Sequence, residues 1–345
     1  MLTQIHIQNF KGFKDTQIPS VRKVNLILGG QNVGKTSLLE AVWLGTSDVD
    51  KYQQLPSLFR AAEGQDSDRY LQSVLGRKSP EIDVSDSNQR VIETRVNLPT
   101  SKQNPNFMTE HVPQDRIALH RDIRGPNIRT SNDAVIGGLL GNSHIPITSL
   151  ETAISQTSFM NPLAVSLHLP SQLRTVQLFD QAIVARKKRQ LLEMLRRIEP
   201  RLDDMHSLSP DGDPRVYVEL EGISEALPLP QLGHGFARLV NLYCSLLVTQ
   251  SKLALIDEIE TGIHYSSLPT VFKGIQDIAV RHDVQTLMTT HSWDCIRAAY
   301  ETFSESGNLE DFQLIRLERR EDNVHAVVIN DESLQTVMEA GYEVR

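Results

Sequence analysis

Residues 24–45, VNLILGGQNVGKTSLLEAVWLG, constrain this chain more tightly than any other stretch. Val24, Leu26 and Leu28 alternate as in a strand, and Leu38, Leu39 and Val42 recur at helical spacing. Between them Gly29-Gly30-Gln31-Asn32-Val33-Gly34-Lys35-Thr36 fits G-x-x-x-x-G-K-[ST]. Glycines let the backbone wrap an anion without Cβ clashes. Successive N–H groups, running through Ser37 into the first helical turn, then point at a phosphate. Lys35 is expected to reach the β- and γ-phosphates of ATP, and the Thr36 hydroxyl to ligate Mg²⁺.

A distant stretch raises a complementary question. LALIDEIETG, residues 253–262, runs four apolar residues into Asp257 and Glu258, with Glu260 two positions on. Desolvating a carboxylate without a partner is costly, so acids at the end of a buried strand are either solvated turn residues or face a cation. Granted the glycine loop, Asp257 is expected to hold Mg²⁺ through one of the waters that ion keeps. Glu258 is expected to polarise a water for attack on the γ-phosphate. Glu260 is expected to cap or pair locally, with a metal or water role as the alternative. A second apolar run, VQTLMTTHS (284–292), ends in Thr290, His291 and Ser292. Strand ends on one edge of a parallel sheet converge on ligands, so His291 is expected to hydrogen-bond the γ-phosphate or the attacking water.

Bulk properties set limits around this site. The 345 residues carry a formal charge of −8, which argues against a surface that coats nucleic acid everywhere. Two cysteines, Cys244 and Cys295, are too few for a secreted disulfide scaffold, so free thiols in a reducing compartment are expected. No apolar run reaches a membrane span, and the N-terminus lacks the apolar block of a signal peptide. A cytoplasmic protein with no membrane partner is the expectation.

LPQLGHGFARLVNLYCSLL, followed by LALIDEIETGIHYSSL and QTLMTTHSWDCIRA, resembles the ABC-type ATPase heads of the SMC, RecF and OLD lineage. The opening IQNFKGFKD is similar to the first strand and turn of those heads, and the small OLD-like ATPases are the nearest likeness. The resemblance implies an α/β P-loop NTPase fold, an ABC head, with two nucleotides sandwiched between two protomers. It also implies that a signature segment, here Gly233-His234-Gly235 with Arg238 one turn on, closes on the γ-phosphate of the other protomer. His234 departs from the small polar or acidic residue usual there.

One composite head over residues 1–345 is expected, in three stretches: 1–46 with the glycine loop, an inserted and partly helical region at 47–210, and 211–345 with the signature, the acid pair and His291. Within the insertion, residues 101–116 and 124–133 read as polar loops, 92–98 as a strand and 171–207 as helical. Residues 312–320 and 324–331 read as a closing strand pair. The helical stretch carries Arg186, Lys187, Lys188, Arg189, Arg196, Arg197 and Arg201, which are either a route to nucleic acid or a solvated face. Phe10 and Phe13 are the candidates for stacking on adenine.

No heptad run or C-x-x-C pair is present, and the 53 residues after Ser292 (345 − 292) are too few for a Toprim nuclease domain. The chain is therefore not expected to cut nucleic acid by itself. The leading expectation is an ATP-hydrolysing switch, a homodimer or larger even-numbered oligomer, that controls a separate effector such as a nuclease or toxin in anti-phage defence. A RecF-like ATPase acting directly on DNA is the alternative, and a transporter ATP-binding subunit a minor one.

Overall fold

The computed structural model describes residues 1–47, 79–97, 116–126, 128–138, 162–166 and 172–339. The chain opens with β1 (Leu2–Phe10) and β2 (Phe13–Ile18), an antiparallel pair, and then β3 (Val24–Gly29) and α1 (Lys35–Thr46). After these come β4 (Glu81–Asp86), β5 (Val91–Asn97), β6 (Arg116–Gly125), β7 (Ile128–Gly138) and β8 (Leu163–Ser166). Two helices follow, α2 (Gln172–Val184) and α3 (Lys188–Arg196), then β9 (Leu202–Leu208), β10 (Arg215–Leu220) and the short β11 (Leu227–Pro228). The last third holds α4 (His234–Val248), β12 (Leu253–Asp257), α5 (Leu268–Arg281), β13 (Gln285–Thr289) and α6 (Trp293–Glu305). It closes with β14 (Phe312–Arg320), β15 (Asn323–Ile329) and α7 (Asp331–Glu339).

Two six-stranded sheets organise the head. One is antiparallel, in the order β2-β1-β4-β5-β6-β7. The other runs β15-β14-β3-β13-β12-β8, parallel except for the closing β14–β15 pair. Its central strands are apolar on both faces because both faces are covered. Leu253 and Leu255 of β12 join Ile27, Leu287 and the residues of α1 in a core shared with the antiparallel sheet. Ala254 and Ile256 point the other way, into a core made with α2 to α6. The period of two that sorts these residues also fixes Asp257: it follows Leu253 and Leu255, and so emerges on the side of α1.

Three sequence expectations are corrected here. The stretch 171–207 is not one helical region: Arg186 adopts φ 58° between α2 and α3, and Leu202–Leu208 is β9, paired with β10. Residues 124–133 are not a loop, since β6 and β7 form a hairpin that turns at Pro126. Phe10 and Phe13 lie in the core at 0% exposure and offer no ring face to a base. The polar stretch 101–115 lies outside the described residues. The insertion does carry helices, but its described N-terminal part is strand and extends the antiparallel sheet.

Candidate functional site

The glycine loop leaves β3 and enters α1 through three residues at positive φ: Gly29 (144°), Asn32 (56°) and Gly34 (115°). At Gly34 a Cβ would press on the Phe13 ring, and at Gly29 it would collide with the Leu317 carbonyl, so neither position has room for a larger residue. No side chain caps α1, and its first turn holds no acid. Its leading N–H groups are left to whatever anion enters the loop. Lys35 folds back over the loop, its Nζ donating to the Gly29 carbonyl at 2.8 Å and the Gly30 carbonyl at 3.0 Å. Burial pushes the Lys35 ammonium below its ordinary pKa, while the nearby carboxylates of Glu260, Asp257 and Glu258 work in the opposite direction.

The acid pair meets this loop directly. Thr36 Oγ1 donates to Asp257 Oδ2 at 3.0 Å, and Thr289 Oγ1 donates to Asp257 Oδ1 at 2.5 Å. Burial raises the Asp257 pKa above the usual carboxylate range, the two hydroxyls oppose that shift, and Glu258 and Glu40 add to it. A buried carboxylate held by hydroxyls, beside a Thr oxygen and close to other acids, is a hard all-oxygen donor set. It fits a divalent cation such as Mg²⁺.

Glu258 sits at φ 50°, and this left-handed turn sends its side chain outward, away from the buried Asp257. Its backbone N–H donates to Thr289 Oγ1 at 2.8 Å, and its Oε2 accepts from Thr261 Oγ1 at 3.1 Å. His291 follows β13, and its imidazole Nδ1 lies 2.8 Å from Glu260 Oε1. A cleft of about 570 Å³ is lined by Gln31, Asn32, Val33, Gly34, Lys35, Thr36, Ser37, Glu258 and His291. Segments more than 200 positions apart in sequence thus share one cavity.

The signature residues lie elsewhere. Gly233 caps α4 at φ 91° with open space where a Cβ would stand, and His234 is exposed. Gly235 packs so closely on Gly262 that a Cβ would overlap the Gly262 carbonyl oxygen, and the Arg238 guanidinium lies against Gly262 as well. None of Gly233, His234, Gly235 and Arg238 lines the phosphate cleft of its own chain.

Sequence reading missed Thr289, which braces both Asp257 and the Glu258 amide. Its signal was available in the strand alternation, because Thr289 shares the face of Leu287 and so meets the face of Leu255 and Asp257. The basic cluster is largely matched by acids and carbonyls. Lys188 pairs with Asp204, Arg189 with Glu193 and Arg197 with Asp277, and Arg196 donates to the Leu202 carbonyl. That pairing favours a solvated face over a phosphate-tracking surface.

The family model described as "AAA domain, putative AbiEii toxin, Type IV TA system" (AAA_21) matches residues 24–294, the span from the glycine loop through His291. The chain belongs to the AAA_21 family. This AAA_21 protein is a P-loop ATPase, and its fold is that of an SMC-type ABC head. It is similar to an ATP/GTP phosphatase of Helicobacter pylori, with 22% identity over 371 residues that cover 98% of each chain. Its fold is similar to an SMC head solved with the C-terminal winged-helix domain of ScpA, at TM-score 0.53 and 12% identity over 97% of this chain and 99% of that one. It also matches the Pyrococcus furiosus SMC head with an extended coiled coil, bound to the C-terminal domain of ScpA, at TM-score 0.50 and 11% identity over 99% of both chains. No helix among the described residues of the AAA_21 chain is long and apolar enough to cross a membrane.

Proposed function

We propose that this ATPase is a nucleotide-driven switch: ATP and Mg²⁺ join two protomers head to head, hydrolysis releases them, and the change is read by a separate effector protein. The observation that carries the reading is the 3.0 Å contact of Asp257 with Thr36, which lines one cleft with Glu258 and His291. Lys35 leaves the carbonyls of Gly29 and Gly30 for the β- and γ-phosphate oxygens, which offer it a stronger, charged acceptor. The amides from Gly30 to Ser37 hold the same phosphates. Thr36 and Asp257 would hold the cation, which would supply charge stabilisation to the phosphate oxygens. Glu258 polarises the attacking water, and His291 supports the water or the γ-phosphate. Catalysis of this kind is mostly positioning and electrostatics.

The helix start at Gly233–Gly235, with Gly233 and His234 exposed and absent from their own chain's cleft, suits a role on the nucleotide of a second protomer. The effector half of the proposal, a nuclease or toxin partner in anti-phage defence, draws on the toxin–antitoxin wording of the family description and on the partner-bound state of the SMC heads. Two variants test the enzymatic half. Lys35→Ala is expected to abolish ATP binding in calorimetry. Glu258→Gln is expected to bind ATP normally and to hydrolyse it about 10²–10⁴-fold more slowly, the usual contribution of a positioned base. Wild-type affinity in the first, or wild-type turnover in the second, overturns the assignment. Purification of the tagged protein from its native cells tests the effector: a stoichiometric partner supports it, and a homogeneous homo-oligomer contradicts it.

A further inference from the structure

Glu260 is the one acid of the DEIE segment to which the mechanism above gives no task, yet it is nine-tenths buried and held in one orientation. The left-handed turn at Glu258 swings the chain so that Glu260 reaches the end of β13. There a single oxygen, Oε1, accepts from the His291 backbone N–H at 2.8 Å and stands 2.8 Å from His291 Nδ1. The Glu260 and His291 segments are further joined by the Ile259 N–H, which donates to the Thr289 carbonyl at 3.1 Å. The imidazole itself remains 64% exposed and lines the cleft.

A carboxylate only accepts hydrogen bonds, so Nδ1 must carry the proton. Nε2 is the ring nitrogen that Glu260 does not engage. Resting on the assignment of Glu258 and His291 to the hydrolytic site, we propose that Glu260 is a positioning residue that locks His291 in the Nδ1–H tautomer. Nε2 is thereby left for the attacking water or the γ-phosphate. Glu260 touches neither nucleotide nor water and acts through His291.

The experiment is a double-mutant cycle in steady-state ATPase kinetics, joined to ¹⁵N NMR of the imidazole. His291→Ala and Glu260→Ala are each expected to lower kcat by about 10–100-fold, the usual effect of losing a group that orients a functional side chain. KM for ATP should move by no more than about twofold if ground-state binding is untouched. The double variant should be no slower than His291→Ala alone. Glu260→Gln should recover most of the rate, because its amide carbonyl accepts the same two bonds. In the unmodified protein, the signal lost on His291→Gln should be that of an Nδ1–H imidazole, a measurement that needs no folded Glu260 variant.

An Nε2–H tautomer overturns the proposal, as do additive effects of the two substitutions or a Glu260→Ala variant that turns over normally while His291→Ala is slow. In those cases the hydrolytic site itself stands. Normal turnover in His291→Ala instead removes His291 from the site, and this proposal with it.

Discussion

Asp257 carries opposing demands in one side chain. Burial works against its charge, and its direct partners are the hydroxyls of Thr36 and Thr289. A bound divalent cation resolves the conflict, so Asp257→Asn is expected to keep the fold and lose metal affinity. Measured by titrating Mg²⁺ into the ATPase assay, the variant should need at least about 10-fold more metal, as loss of a group that holds a ligand shell commonly requires. An unchanged Mg²⁺ dependence would remove Asp257 from the metal site. Much of this residue-level picture was legible beforehand, because the glycine loop is a local pattern and, once it is granted, the acid pair has a cation to face. Thr289 and the bond from Glu260 to His291 were less legible, since each depends on which strands lie side by side. Phe10 and Phe13 misled because an aromatic near a phosphate loop reads the same in sequence whether it stacks on a base or fills a core.

Among the elements, α1 is anchored at both ends. Its N-terminus is the phosphate loop. At its C-terminus Arg121 of β6, at 0% exposure, donates to the Leu44 carbonyl at 2.7 Å, the Ser47 carbonyl at 2.7 Å and Thr94 Oγ1 at 3.0 Å. A cation at a helix C-terminus satisfies the free carbonyls and suits the helix dipole. The inserted sheet is thereby bonded to the helix that begins at Lys35. Arg121→Met removes the buried hydrogen bonds to Leu44, Ser47 and Thr94 but also removes a desolvated charge, so a net loss of about 2–3 kcal/mol is expected. The urea midpoint reads this directly, and no shift would mean that the arginine is replaceable by packing. Strands of the parallel sheet were readable from their short apolar runs. The end of α3 was not, because LDDMHSL forms a strand only against β10, a pairing that its own composition does not announce.

At the scale of the whole molecule, the parallel sheet separates two cores and holds the site where its strands end. Cys244 and Cys295 belong to the helical core, and burial pushes the Cys244 thiol up to about 12 and the Cys295 thiol upward as well. Neither is expected to react with a thiol reagent at pH 8 until the protein unfolds, a condition that mass spectrometry of labelled native and denatured samples can check. Rapid labelling of the native protein would show that the helical layer opens readily. Closure of two heads around ATP is the largest-scale claim. The Glu258→Gln variant should double its mass in light scattering when ATP and Mg²⁺ are added, while Lys35→Ala should not respond.

All of these expectations depend on the glycine loop and the DEIE carboxylates gripping one nucleotide together. A crystal structure of the Glu258→Gln variant with ATP and Mg²⁺ measures that most directly. The account predicts phosphates cradled by residues 29–37, Lys35 Nζ on the β- and γ-phosphates, and Mg²⁺ bound by Thr36 and, directly or through water, by Asp257. It also predicts the Gly233–Gly235 helix start of a second protomer at the γ-phosphate. Nucleotide bound away from this loop, or a metal shell that excludes both Thr36 and Asp257, would contradict it.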